Sequence, residues 1–174
     1  MGKAELPLHA PGTQTDKGYI GQSVPRPNAA RLLQGRGTFI DDLRFPRLAH
    51  VAFFRSPYAH ARIKKLQLEK AAKSPGVLAV FDGPTVAEYC KPWVAVLAHL
   101  KGIKSPPQHA IALERACWQG EAVAVVVAET RAQAEDALAL VEAEWEELPA
   151  VVDMERSLAG ERVILRELGD NVCF

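Results

Sequence analysis

Two histidines, His50 and His60, are of a residue type that suits metal binding and flank the stretch "VAFFRSPYA". Structural and catalytic metal sites generally use three or four protein ligands, and no third ligand stands close to this pair in the sequence. We therefore expect no metal site here. His50 is predicted to be a partly buried strand residue, and His60 to lie in a turn where its ring bonds a backbone carbonyl.

A second candidate is the stretch "LQGRGTFIDD" at residues 33–42, which places Gly35 and Gly37 beside Arg36 and ahead of two aspartates. Glycines and a cation could form an anion-binding loop, and the aspartates could hold a metal. A GxG pattern alone is weak evidence for either. The favoured interpretation is a glycine-bent entry into the domain that ends in a solvent-exposed acidic turn.

Carboxylates and thiols complete the candidates for chemistry. Paired carboxylates can act as acid and base when their environments differ. Glu142, Glu144 and Glu146, however, alternate along one strand, so they should share a solvent-exposed face and titrate normally. Cys117, next to Trp118, could equally be a small buried hydrophobe. No Ser-His-Asp or Cys-His order stands out, so local chemistry predicts no catalytic, cofactor-binding or metal residue in this chain.

The segment 120–149 predicts a strand, a helix and a second strand in succession. "AVAVVVA" (122–128) is a continuous apolar run, which is typical of a central strand buried on both faces. Thr130-x-x-Gln133 has the pattern of a capping box that starts a helix. A phosphate-binding loop needs glycines between strand and helix, but the joint here is Glu129-Thr130. This segment is therefore predicted to pack and not to bind phosphate.

The remaining elements are predicted from alternation and from turn residues. Apolar residues on both faces of 48–56 predict a strand that is covered on both sides. Glycine and proline at the ends of the other apolar segments mark their limits. These segments are the predicted strands 61–68 and 77–83 and the short predicted helices 29–34, capped by Asn28, and 69–73.

Composition limits the classes of function. Lys plus Arg and Asp plus Glu each number 21, so no overall charge attracts nucleic acid or an anionic membrane. Hydrophobic residues make up 48% of the chain, which is enough to form a core. The longest apolar run is far shorter than a membrane span requires. Three widely spaced cysteines and an N-terminus without an apolar leader predict a cytoplasmic protein.

Two segments have the character of contact surfaces. Residues 1–27 are polar and rich in glycine and proline, which predicts an extended arm that lies on a partner or is loose when alone. Residues 84–110 contain four prolines. A loop of this length in a compact domain is typically functional or an interface, so both segments are candidates for binding another polypeptide.

Four blocks of sequence are more informative together than any single motif. They are "GQSVPRPNAARLLQGRGTFIDDL" (21–43), "HVAFFRSPYAHARI" (50–63), "PGVLAVFDG" (75–83) and "GEAVAVVVAETRAQAEDALALVEAEWEELPAVVD" (120–153). In this order they resemble the N-terminal part of the large subunit of molybdenum hydroxylases, the family of xanthine dehydrogenase, aldehyde oxidase and aerobic-type carbon monoxide dehydrogenase. The resemblance implies an α+β fold: an α/β hammerhead domain with a mixed sheet and packed helices, preceded by an extended arm. The implied limits are 1–27 for the arm, 28–160 for the hammerhead domain, and 161–174 for a segment that leads toward cofactor-binding domains.

The same resemblance implies which parts of an enzyme lie outside this chain. In the family the large subunit binds molybdopterin, and partner subunits carry iron–sulfur clusters and FAD. The glycine-rich contacts to molybdopterin and the glutamate that acts as base belong to later parts of the large subunit, and their motifs do not occur here. The chain is thus expected to bind no cofactor alone. Its expected partners are the remaining part of the large subunit, the iron–sulfur subunit and the flavin subunit.

Two functions remain open on the sequence. In the first, the chain is the scaffold and interface domain of a truncated or split large subunit, with 1–27 and 84–110 as contact surfaces and 122–128 in the core. In the second, it is a free-standing interaction module that kept the hammerhead fold and lost enzymatic activity. A self-sufficient module should cover its own sheet edges and expose no large apolar patch.

Overall fold

The computed structural model describes residues 19–95 and 99–173. Contacts divide the chain into two compact units, Met1–Arg44 and Phe45–Phe174. In the described part of the first unit no residue is buried, and the regular elements there are helix α1 (Ala29–Leu33) and a 3₁₀ turn (Ile40–Asp42).

Helix α1 lies where the sequence predicted a helix, but its predicted cap is wrong. The Asn28 side chain makes no capping hydrogen bond. A capping residue normally has an extended backbone that turns its side chain toward the first free N–H groups. Asn28 instead has φ −95° and ψ 2°, so its side chain is not presented to them.

The second unit contains six strands, four helices and one 3₁₀ turn among its described residues. All the strands and helices predicted for this unit are present, within one or two residues of their expected limits, whereas α3, β4 and α5 were not predicted. The elements are β1 (His50–Arg55), β2 (Ala61–Gln67), α2 (Glu69–Ala72), β3 (Val77–Asp82), α3 (Gly83–Ala87), β4 (Arg115–Ala116), β5 (Ala122–Ala128), α4 (Arg131–Leu138), β6 (Glu142–Glu147), α5 (Met154–Leu158) and the turn Arg166–Leu168.

The strands form two sheets of three strands each. Sheet A has the order β1-β5-β3, and sheet B has the order β4-β2-β6. Every pairing among these strands is antiparallel. The α+β class is confirmed, but two antiparallel sheets stand in place of the expected mixed sheet. Because β6 pairs with β2 and not with β5, the strand–helix–strand segment connects one sheet to the other.

Strand β5 lies at the centre of sheet A, as predicted. Its residues Val123 and Val126 are fully buried. One face of the sheet is covered by α4, whose Ala134 and Ala137 are also fully buried. These small side chains let the helix approach the strands closely. Val141, just before β6, packs in the same cluster as Val126 and Ala137, so the core extends from sheet A toward sheet B.

Strand β1 is covered on one side and not on the other. Ala52 and Phe54 pack toward α4, whereas Val51 and Phe53 on the opposite side are 51% and 43% exposed. The prediction that β1 is covered on both sides is therefore wrong for this chain. Strand β1 carries more apolar side chains than the described residues of the chain cover.

Helix α4 begins at its predicted cap, Thr130, but the second of the two expected capping-box hydrogen bonds is replaced by another. The Thr130 hydroxyl oxygen accepts a hydrogen bond from the Gln133 N–H at 3.3 Å. In place of the expected reciprocal bond to the backbone, the Gln133 side-chain oxygen accepts from the Thr130 hydroxyl at 2.8 Å. The amide end of Gln133 lies where a Cβ on Gly76 would be, 2.2 Å from Nε2. Glycine at this position also suits its φ of +77°.

Candidate functional site

The predicted N-terminal arm is exposed wherever the structure describes it. Residues 1–18 lie outside the described residues. Every residue of 19–27 is exposed, and Tyr19 and Ile20 reach 74% and 99%. The limits 1–27, 28–160 and 161–174 stay predictions.

The start of the predicted contact loop is a helix. The Asp82 carboxylate caps α3 by accepting a hydrogen bond from the Thr85 N–H at 2.9 Å. An aspartate followed by Pro84 in the first turn is a sequence signal for a helix start, and the sequence reasoning missed it. A Cβ on the buried Gly83 would lie 2.0 Å from the Ala112 carbonyl oxygen. Only a glycine therefore allows the two segments to approach this closely.

The loop is closed at its base by a bridge between Trp93 and Gln108, and exposed aromatic side chains lie at and before this bridge. Trp93 and Gln108 exchange two backbone hydrogen bonds of 2.8 Å. Tyr89 and Trp93 are 83% and 62% exposed. Large exposed aromatic side chains are enriched at protein interfaces, which agrees with the expected role of 84–110 as a contact surface.

Sheet A presents an apolar surface on the side opposite α4. Side chains alternate along a strand, and the register across β1, β5 and β3 places the outward residues of the three strands beside one another. Val51 and Phe53 carry the largest exposed fractions on this side. We define the open face as the side chains of Val51, Phe53, Ala79, Phe81, Val125 and Val127, of which Val125 is buried by its neighbours.

A cavity of about 320 Å³ lies beside the entry to β5. The Glu121 carboxylate at its wall accepts a hydrogen bond from the Cys117 N–H at 2.6 Å. Burial raises the pKa of Glu121, while hydrogen bonds from the N–H groups of Cys117 and Trp118 oppose that rise. The carboxylate therefore fixes the turn that leads into β5. The lining residues are Pro107, Gln108, His109, Ala112, Leu113, Glu114, Arg115, Cys117, Trp118, Glu121, Leu165 and Glu167.

The thiol of Cys117 faces this cavity and is not activated. Burial raises the pKa of the Cys117 thiol, and the nearby Glu121 carboxylate raises it further. A raised pKa lowers the fraction of thiolate, which is the nucleophilic form. Cys90, Cys117 and Cys173 are all free thiols. The environment of Cys117 favours its interpretation as a small, half-buried hydrophobe.

The charged groups around the cavity are mostly acidic. Arg115 has a side chain only 14% exposed, and its Nη2 lies 3.8 Å from the Glu167 carboxylate. Its Nη1 is buried without a hydrogen-bond partner. Because Glu114, Glu121 and Glu167 line the same cavity, one guanidinium stands against three carboxylates, which does not favour a phosphate group.

The two histidines have the structural roles that the sequence predicted. The His60 ring bonds the Pro149 carbonyl oxygen through Nδ1 at 3.0 Å and is 7% exposed. His50 is partly buried in β1. Across residues 19–95 and 99–173, no group of three or more His, Cys, Asp or Glu side chains is arranged to hold a metal ion.

Two glutamates of β6 form ion pairs with basic side chains on β2 and α2. Glu146 lies 3.3 Å from Arg62 on β2, and Glu142 bonds the Lys70 ammonium on α2. The expectation of normal titration is wrong for Glu142, because the hydrogen bond and the charge of Lys70 lower its pKa. The lysine follows β2 in a short helix, a position that strand alternation alone did not reveal. These glutamates stabilise a surface and are not arranged as an acid and a base.

Neither candidate loop has the geometry of a phosphate site. At the joint between β5 and α4 the Glu129 N–H donates to the Gly76 carbonyl at 2.9 Å, so this donor is already used. In 33–42 the Asp42 carboxylate accepts from the Phe39 N–H at 2.9 Å. The latter stretch is an exposed acidic turn, which agrees with the favoured interpretation of the sequence.

Comparison with known domain families decides the assignment of this fold. Residues 34–149 match the sequence model of the family described as "Aldehyde oxidase and xanthine dehydrogenase, a/b hammerhead domain". The chain belongs to this family. The resemblance carried by the four sequence blocks is thereby confirmed, and so is the α/β hammerhead fold.

Relatives of known function are large subunits of molybdenum hydroxylases and carbon monoxide dehydrogenases. The chain is 38% identical over 156 residues to the nicotine 6-hydroxylase large subunit of Paenarthrobacter nicotinovorans, covering 90% of the chain and 19% of that protein. It is 32% identical over 165 residues to the carbon monoxide dehydrogenase large chain of Hydrogenophaga pseudoflava, covering 92% and 20%. The chain thus spans about one fifth of the length of these relatives.

Solved structures of the family agree with this fold. Quinoline 2-oxidoreductase from Pseudomonas putida 86 matches with a TM-score of 0.73 and 45% identity, over 84% of this chain and 18% of that chain. The Cu,Mo-CO dehydrogenase matches with a TM-score of 0.69 and 33% identity, over 84% and 18%. Within the residues that the structure describes, no helix has the length and apolar character needed to span a bilayer.

Proposed function

We propose that this chain serves as the N-terminal α/β hammerhead domain of the large subunit of a molybdopterin-dependent hydroxylase or dehydrogenase. In this proposal it is a scaffold and an interface, and it is not catalytic on its own. The match of residues 34–149 to the hammerhead family, in a chain that covers about one fifth of its relatives, is the observation that carries the proposal.

The complete enzyme in this proposal hydroxylates a carbon centre or oxidises carbon monoxide, with oxygen taken from water. Molybdopterin in the remaining part of the large subunit supplies this chemistry, and electrons leave through iron–sulfur clusters to FAD on partner subunits. The proposed partners are therefore the rest of the large subunit, the iron–sulfur subunit and the flavin subunit, in the cytoplasm. One relative is named as subunit gamma of the 6-hydroxypseudooxynicotine dehydrogenase complex, which supports a multi-subunit assembly.

The described residues of this chain do not fit molybdopterin. The cofactor ends in a phosphate group, which is held in proteins by cations and by free backbone N–H groups. The cavity beside β5 has Glu121 and Glu167 in its wall, and the joint before α4 has its Glu129 N–H bonded to a carbonyl. The cofactor is therefore assigned to the remainder of the large subunit.

The exposed apolar surface argues against the free-standing module. A self-sufficient domain is expected to keep large apolar side chains scattered and singly exposed. Here the open face groups Val51 and Phe53, which are 51% and 43% exposed. Met154 and Leu158, one turn apart on α5, are 86% and 73% exposed. This surface suits a domain that is completed by further polypeptide.

Co-expression tests the proposed function. The chain carries an affinity tag and is produced with the large-subunit polypeptide encoded downstream of it, and the purified material is examined by size-exclusion chromatography. A stable 1:1 complex is the expected result. A chain that is soluble and monodisperse alone and does not assemble with that polypeptide contradicts the scaffold role.

A further inference from the structure

We propose that the open face of sheet A is the surface on which the remaining large-subunit polypeptide docks, with Phe53 on the edge strand β1 as its most exposed aromatic side chain. This inference rests on the proposed function and adds to it a specific contact surface. The evidence comes from the apolar pattern of the strands, the composition of the rim and the length of the relatives.

Both faces of sheet A are apolar, but the side opposite α4 is covered only in part: Val125 of β5 is 8% exposed there, whereas Val51 and Phe53 of β1 remain exposed. An antiparallel sheet with one wet side normally carries polar residues on that side. On β1 the outward positions are instead occupied by Val51 and Phe53, which are half-exposed. They pair across to Val127 and Val125 of β5. Side chains of this type on both faces indicate that the sheet becomes the middle layer of a larger structure.

The rim of the open face carries a fixed charge. The Arg55 guanidinium lies 5.3 Å from the centre of the Phe53 ring, and its Nη1 donates to the Gly120 carbonyl oxygen at 2.8 Å. The arginine is thus held beside the aromatic ring by two contacts. An apolar centre with an ordered polar border is the usual composition of a protein interface, and a ring held in place loses little conformational freedom on binding.

The length of the relatives identifies the occupant. About four fifths of the nicotine 6-hydroxylase large subunit and of the carbon monoxide dehydrogenase large chain lies outside the part that this chain matches. The family match includes all three strands of sheet A. In these proteins the region that matches sheet A is therefore accompanied by several hundred further residues of the same subunit, which makes a second copy of this chain the less suitable cover.

The test compares two substitutions of equally exposed apolar residues. Phe53 on the open face and Leu140 beyond α4 are both 43% exposed. Phe53→Glu, Leu140→Glu and the unchanged chain are each co-expressed with the downstream large-subunit polypeptide, and the dissociation constant of each complex is measured. We expect Phe53→Glu to weaken the complex at least about tenfold, as for the loss of an aromatic anchor, and Leu140→Glu to leave it within about twofold.

A second measurement does not depend on a substituted chain. Hydroxyl-radical footprinting of the unchanged complex should show Phe53 and Phe81 protected on assembly, with Trp118 as a reference. Circular dichroism of Phe53→Glu shows whether the variant is folded. If it is not, the footprint of the unchanged complex alone decides whether the open face is the docking surface. The proposal is overturned by an unprotected Phe53, by equal weakening in both variants, or by a dimer of this chain alone that protects Phe53.

The outcomes separate this inference from the proposed function. If the unchanged chain forms no complex, the proposed function fails and this inference fails with it. If the complex forms and a folded Phe53→Glu binds as tightly as the unchanged chain, the scaffold role stands and the docking surface is wrong. Protection of Phe53 in the isolated chain, before the second polypeptide is added, also shows that the occupant lies within this chain.

Discussion

The thiol of Cys117 illustrates how local environment decides the use of a reactive residue type. It lines a cavity next to Trp118 and Glu121, a position that could suit a nucleophile. Burial and the adjacent carboxylate instead raise its pKa. The sequence left both interpretations open, because spacing along the chain does not report which charges lie nearby in space.

Alkylation rates test this assignment. Iodoacetamide at pH 8 should modify the exposed Cys90 and Cys173 several-fold faster than Cys117, measured by peptide mass spectrometry. Glu121→Gln removes the carboxylate charge but keeps an acceptor oxygen for the Cys117 N–H, so the pKa of the thiol should fall and its alkylation should accelerate. Glu167→Gln, the weaker of the two acidic influences on Cys117, is the control and should accelerate it less. Cys117 reacting as fast as Cys90 would contradict the assignment.

The ion pair between Glu142 and Lys70 makes a pH-dependent contribution to stability. Because the pKa of Glu142 is lower in the folded chain, its contribution is present above the pKa of the unfolded state and is lost as pH falls through the folded value. Nuclear magnetic resonance titration of the Glu142 carboxyl should therefore give a higher midpoint in Lys70→Gln than in the unchanged chain. Lys73→Gln, which removes a charge just after the same helix, should change the midpoint less. Equal midpoints in all three proteins would refute the pairing.

At the scale of elements, the strands of sheet A, strands β2 and β6 of sheet B, and helices α2 and α4 could be read from the sequence. Their signals are local: a continuous apolar run for β5, alternation for β6, and Thr130 at the start of α4. The pairing of β6 with β2 and the two-residue strand β4 depend on contacts between distant segments. Such contacts leave little trace in a single sequence, so the division into two sheets was not predicted.

Of the candidate contact surfaces, one could be predicted from the sequence and another could not. Residues 84–110 were identified as a contact segment from length and proline content, and helix α3 was missed although Asp82 and Pro84 signal its start. The open face was missed because the apolar pattern of β1 was interpreted as a strand already covered on both sides. A sequence pattern shows which faces are to be buried, but it does not show whether the covering residues belong to the same chain.

The cap of α4 gives a prediction at this scale. Thr130→Ala removes the acceptor for the Gln133 N–H and should lower the free energy of unfolding by about 1 kcal/mol. Thr130→Ser keeps the hydroxyl and should restore most of this stability. Urea denaturation followed by circular dichroism measures both. A loss in Thr130→Ser as large as that in Thr130→Ala would show that the cap is not the cause.

The close contact between Gly83, at the start of α3, and Ala112 gives a second prediction at this scale. In Gly83→Ala the added Cβ meets the Ala112 carbonyl oxygen, and the free energy of unfolding should fall by about 3 kcal/mol, as for overpacking of a rigid site. Gly120→Ala is the control, because its Cβ meets open space and only its φ of +87° is unfavourable. That change should lower the same quantity by about 1 kcal/mol. If Gly83→Ala is no more destabilising than the control, the two segments are not in contact.

At the scale of the whole molecule, the features of this chain resemble those of one domain of a larger subunit. It has the fold of the hammerhead family, about one fifth of the length of its relatives, and apolar side chains exposed on a sheet face and on α5. Among its described carboxylates, Glu121 holds a turn, and Glu142 and Glu146 form ion pairs. A role as scaffold and interface accounts for all of these observations together.

The central claim is tested most directly by metal analysis of the purified chain, alone and in complex with the downstream large-subunit polypeptide. Inductively coupled plasma mass spectrometry of both samples, from cells that synthesise molybdopterin, gives the molybdenum content per chain. We predict a 1:1 complex that contains molybdenum and an isolated chain that contains none above background. Stoichiometric molybdenum in the isolated chain would contradict the account.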